Sequence, residues 1–129
     1  MILAAVLLKL GIYGIYRFKM FFMIELMEIG YVLMVVSVFG SVYVGVMCIF
    51  QTDVKALIAY SSVCHIGVVL GGIINLGFWS SYGGLLLMLG HGLCSSGLFC
   101  LGNMLYERFY TRSIILLKGI MRLFPRMAL

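Results

Sequence analysis

From Ile29 to Phe50 the chain runs without a charged side chain. An apolar run of this length is what a helix needs to cross the roughly 30 Å hydrocarbon core of a bilayer, about 20 residues at ~1.5 Å each. Three more predominantly apolar stretches lie at about 1–16, 57–77 and 83–106. Charge, or glycine and serine, marks each break. Arg17 and Lys19 close the first stretch, Asp53 and Lys55 separate the second from the third, and Asn75 to Ser81 form the third gap. The expected fold is an all-α polytopic membrane protein, a single transmembrane domain over 1–129 with about four spanning helices and an amphipathic segment.

Composition excludes other classes. Of 129 residues 64% are hydrophobic and 10% charged, against about 45–50% and 25% in soluble domains, so a water-soluble globule is ruled out. The net charge of +5 does not indicate nucleic acid, because the basic residues cap apolar runs and do not form a patch with aromatics. Cys48, Cys64, Cys94 and Cys100 sit inside apolar segments with no CxxC pair, and read as small packing residues. Cys64 and His65 diverge by about 100° on a helix, which argues against a metal site. One proline and no long polar tract leave little room for linkers. The amino end has neither the charged region nor the small-residue site of a cleavable signal.

Beyond the fourth stretch, Lys118, Arg122 and Arg126 recur every four residues after Ile114 to Leu117. This spacing predicts a helix lying along the membrane surface, over 112–126, with Pro125 placed to begin another helix. With four spans, Arg17 and Lys19 face one side, and Lys55, Arg108, Arg112, Lys118, Arg122 and Arg126 the other, which the positive-inside rule assigns to the cytoplasm or an organellar matrix. Glu25 and Glu28, at the start of the second span, read as interfacial charges. Asp53 with Lys55, and Glu107 with Arg108 and Arg112, read as ion pairs at loops and helix ends.

Three ionisable residues remain at membrane depth, where each costs at least about 2.5–3.5 kcal/mol on insertion scales. Lys9 precedes Arg17 by about 12 Å of helix, His65 follows Lys55 by about 15 Å, and His91 lies about 12 Å beyond Gly83. All three converge on the midplane. Their common chemistry is proton transfer: a desolvated lysine gives up its proton more readily, and histidine passes protons through either ring nitrogen. Tyr13 and Tyr16 add hydroxyls near Lys9, while Ser61 and Ser95 lie four residues from His65 and His91. Gly83, Gly90 and Gly97, seven apart, read as a small-residue packing seam.

The run Leu7-Leu8-Lys9-Leu10-Gly11-Ile12-Tyr13-Gly14, the stretch from Gln51 to His65 (QTDVKALIAYSSVCH), and His91-Gly92-Leu93-Cys94-Ser95-Ser96-Gly97-Leu98-Phe99 with the later Tyr106-Glu107-Arg108 resemble the antiporter-like membrane subunits of respiratory complex I, NADH:ubiquinone oxidoreductase. Within that family the resemblance is to the mitochondrial subunit 4 group. Subunits 2 and 5 and the multisubunit sodium/proton antiporters share the lysine, but generally lack HGLxSS with a following YER. Ile12 stands where many relatives have glycine, and Gly90 where many have alanine.

The resemblance implies a protein of about fourteen helices in inverted repeats, with this chain an interior piece running from the eighth helix to the threshold of the twelfth. It further implies that Lys9 is the lysine of a central hydrophilic axis, that His91 belongs to the same proton relay, and that His65 matches a tenth-helix histidine. The parent complex would use NADH, FMN, iron–sulfur clusters and ubiquinone, with none bound by this chain. The chain would be a non-redox part of the enzyme, without independent activity, among other complex I membrane subunits of the mitochondrial inner membrane. The competing readings are a related cation/proton transporter subunit and a non-catalytic scaffold. A self-contained transporter would carry a mid-membrane carboxylate, and a scaffold would need no lysine at the midplane.

Overall fold

The computed structural model describes the backbone of residues 2–75 and 77–123 and, except at positions 3, 4, 25, 121 and 123, their side chains. All its regular elements are helical. A π-helical turn, Leu3–Leu7, leads into α1, Leu8–Phe18; α2 spans Met23–Ile49, α3 Val54–Ile74, α4 Phe78–Phe109, and a short α5 Ile120–Leu123. By length and composition α2, α3 and α4 can each cross a membrane. The first helix is shorter. The π turn and α1 together cover Leu3–Phe18, about 24 Å at ~1.5 Å per residue. At 32 residues, α4 reaches about 48 Å, beyond the hydrocarbon thickness, so Glu107 and Arg108 end outside it.

Packing is sequential around α3. It contacts α2 along one side and α4 along the other, and α1 with its π turn lies against α3 and α4. Burial of apolar area drives little of this in lipid, so close approach of backbones decides it. The tightest seam joins α2 to α3. A Cβ built on Gly67 would lie 2.8 Å from Ser41 Cβ and 2.9 Å from the Ser37 carbonyl oxygen, and one on Gly71 3.2 Å from Ser37 Oγ. Ser37 and Ser41 donate to the carbonyls of Met34 and Val38 at 2.9 and 2.8 Å, so both stay small and satisfied in the seam.

The expected seam on α4 does not form within this chain: a Cβ on Gly83, Gly90 or Gly97 meets nothing within 4 Å among the described residues. The packed face of α4 instead carries Ser81, Gly84, Met88, Gly92 and Ser95. The seven-residue spacing was real, but it marks the face turned away from α1 and α3.

A second correction concerns the stretch after α4. Tyr110, at φ 53°, ends the helix in a left-handed conformation. Residues 114–119 form turns in place of an interfacial helix, and among the described residues helical geometry resumes at Ile120–Leu123. The cause is pairing: Val54 N–H donates to Arg112 O at 3.1 Å and Ile114 N–H to Thr52 O at 2.9 Å, a bridge between Asp53 and Ser113 that takes up backbone groups a helix would need. Gly119, at φ 90°, then supplies a turn that other residues rarely make. Pro125 and Arg126, and the helix expected to begin there, lie outside the described residues. Two cations of this end, Lys55 and Arg112, lie over an aromatic ring. Lys55 Nζ and Arg112 Cζ lie 5.0 and 4.8 Å from the Tyr106 ring centroid, and Glu107 accepts from Asn103 Nδ2 at 2.8 Å.

Gly67→Ala, in the full-length subunit, is expected to lower stability by about 1–3 kcal/mol through overpacking against Ser37 and Ser41. Gly97→Ala, which meets nothing, is expected to change it by less than about 0.5 kcal/mol. Thermal unfolding of the two variants in detergent checks the contrast.

Candidate proton-relay site

The inner face of α1 carries Lys9, Ile12, Tyr16 and Lys19, at i, i+3, i+7 and i+10, the stripe that a helix turns toward its neighbours. Lys9 and Lys19 are buried to 7% and 8% exposure, and Ile12 to 5%. The stripe divides the bundle into three layers.

The first holds Lys9, His65 and His91. Lys9 sits in the first turn of α1, directly after the π turn, a geometry frequent where a helix is distorted for a site. Gly92 lets this end of the chain approach α4. A Cβ there would lie 3.3 Å from Ala5 O and 3.8 Å from Lys9 Cε. Lys9 thus rests against the residue following His91. Between α1 and α4 lies a cavity of about 430 Å³ whose lining includes Lys9, Tyr13, Met88, Gly92 and Ser96. On the other side of α4, the His91 ring meets that of His65 from α3, with centroids 4.6 Å apart and planes at 41°. His91 lies within Coulombic reach of both His65 and Lys9.

One buried side-chain atom in this layer has no hydrogen-bond partner among the described residues, His91 Nε2. The serine hydroxyls that share helix faces with the histidines donate elsewhere, Ser61 to Ile58 O at 2.8 Å and Ser95 to Gly92 O at 3.2 Å. Of the two tyrosines, Tyr13 lines the Lys9 cavity, whereas Tyr16 packs lower down.

The second layer is apolar. Ile12, Val69, Ile73 and Met88 form a buried cluster, flanked by Tyr16, Ile66 and Leu85. The register of all three helices puts it beyond the histidines toward the α3–α4 turn.

The third layer was not visible as a site in the sequence, where Lys19 reads only as a charge closing a span. Its ammonium donates to Ser81 Oγ at 2.6 Å and to Asn75 O at 3.1 Å, tying the end of α1 to the turn between α3 and α4. The i+10 spacing from Lys9 was the available signal, because it puts Lys19 on the inward stripe. Burial pushes the Lys19 ammonium below the usual lysine range. Among the described residues no three His, Cys, Asp or Glu side chains come together as a metal site.

These features define a class: a helical membrane bundle with amine and imidazole groups gathered at depth, apart from its interfacial charges. The chain belongs to the NADH:quinone oxidoreductase/Mrp antiporter transmembrane family, matching it over residues 1–129. It is 54% identical over its whole length to NADH-ubiquinone oxidoreductase chain 4 of Rhipicephalus sanguineus, 48% to that of Ceratitis capitata, and 45% over 128 residues to that of Petromyzon marinus. The chain spans 28–30% of the length of these relatives.

The lowered Lys19 pKa carries a sign. The folded chain releases this proton before the unfolded one, so the cost of burying the ammonium is present at neutral pH and is relieved as pH rises toward 10.5. Competitive acylation of Lys19 in delipidated, detergent-solubilised protein is expected to show an inflection below 10.5. An inflection at or above that value would contradict the burial of the charge.

Proposed function

We propose that this chain is part of a proton-translocating, non-redox membrane subunit of NADH:ubiquinone oxidoreductase, in which Lys9, His91 and His65 form a segment of a lateral proton relay. The observation that carries the reading is their convergence. Residues from three helices, far apart in sequence, meet in one layer with the unpartnered His91 Nε2 among them.

In this reading, the Lys9 ammonium exchanges its proton with water in the cavity it lines, about 430 Å³, and the proton passes α4 at Gly92, where Lys9 rests against the residue following His91. His91 Nε2 takes it up, and the imidazole releases a proton from its other nitrogen toward His65. Tyr13 and Ser96 supply the polar lining on the Lys9 side. The identity to chain 4 of the oxidoreductase, over the whole of this chain, supports a place in the same kind of subunit. Electron transfer from NADH through FMN and iron–sulfur clusters to ubiquinone would then take place in other subunits. Its energy would reach the relay as changes in charge and hydration. The neighbours are other membrane subunits of the complex, and the setting is the mitochondrial inner membrane.

The test is Lys9→Ala in the full-length subunit within intact complex. The proton-to-electron ratio is expected to fall while NADH oxidation by an artificial acceptor persists. An unchanged ratio and membrane potential would refute the relay role of Lys9.

A further inference from the structure

Where α1 ends and α4 begins, a second cavity of about 590 Å³ opens, its lining including Tyr16, Arg17, Lys19, Ser81 and Tyr82. That volume lies in the range of small-molecule sites. Two of its walls are cationic, and among the described side chains no acidic one lines it. The hydrogen bonds that Lys19 donates go to neutral acceptors, Ser81 Oγ and Asn75 O. An ammonium has three N–H groups, so a donor remains after these two. Arg17 is exposed, with its guanidinium 6.0 Å from the Tyr13 ring centroid, which leaves its hydrogen-bonding edge to other partners. Burying a charge against neutral groups alone costs more than it returns, and an anion would reverse that balance.

The location says what kind of anion. Arg17 and Lys19 stand at the end of α1, level with the first turn of α4, at the depth where spans meet lipid headgroups. Phe18, Phe21, Phe22, Phe78 and Trp79 around this end are all exposed, the aromatic girdle expected at a membrane interface. We propose that Arg17 and Lys19 bind the phosphate oxyanion of a phospholipid headgroup in this cavity, with the Ser81 and Tyr82 hydroxyls beside it. The site is separated from the Lys9 layer by the apolar cluster and stands independently of the relay reading.

The experiment uses intact complex containing the full-length subunit, delipidated in a non-ionic detergent, with phosphatidylglycerol added in mixed micelles. The acylation rate of Lys19 is read by peptide mass spectrometry against that of Lys118, an exposed lysine beyond α4. The lipid is expected to slow Lys19 about fivefold relative to Lys118 by occupying the site. Arg17→Gln, an exposed substitution that leaves Lys19 in place as the reporter, is expected to abolish most of that protection. Inorganic phosphate at the same concentration is expected to have little effect. Equal slowing of both lysines would reduce the effect to bulk surface charge and overturn the proposal. So would protection unchanged by Arg17→Gln, or no protection at all. Equal protection by inorganic phosphate would overturn the lipid as the source of the oxyanion.

Discussion

The structure depends on the cost of holding charge in hydrocarbon. A lysine at the bilayer centre survives only when surrounding helices take it out of contact with lipid. Here that is done by α1, whose inward stripe places Lys9 against α4 at Gly92 and Ile12 in the apolar cluster with α3 and α4. The glycine matters because no side chain separates the two backbones at that level. The same packing that hides the lysine brings it beside His91, so shielding and proximity share one cause.

The apolar layer formed by Ile12, Val69, Ile73 and Met88 gives the bundle its second property. It divides two polar levels that occupy the same helix stripe. Above it lie the Lys9 amine, which lines a cavity, and the paired imidazoles of His65 and His91; below it, Lys19 closes the α3–α4 turn. Under the proposed relay, the route for a proton runs sideways between helices, because the apolar layer closes the way down through the bundle. A lateral path within a larger membrane subunit has this shape, and the chain accounts for less than a third of such a subunit's length in its relatives.

The sequence made the layering of charge legible because helix rise converts residue number into depth. Lys9, His65 and His91 could be placed near one plane from their distances to interfacial residues. Which of them touch could not be read, because that depends on helix rotation and partner choice; the 4.6 Å contact of His65 with His91 is a property of the packed α3–α4 pair. The two corrections share this origin. Gly83, Gly90 and Gly97 had the spacing of a seam, yet Gly67 and Gly71 form it, since only the tertiary arrangement decides which face meets a neighbour. The four-residue rhythm of Lys118, Arg122 and Arg126 suited a helix, yet over 114–119 the long-range bridge from Asp53 to Ser113 and the positive φ of Gly119 override it. Lys19 was seen as a charge but not as a buried one, for the same reason.

The central claim is that Lys9 and His91 act on one proton path. A double-mutant cycle on NADH-driven proton translocation, with Lys9→Ala, His91→Ala and both together in intact complex, tests it most directly. Groups in series on one path give non-additive losses, so the double variant is predicted to translocate no less than the worse single variant. Losses that multiply, with the double variant well below either single one, would place the two residues on separate paths and contradict the account.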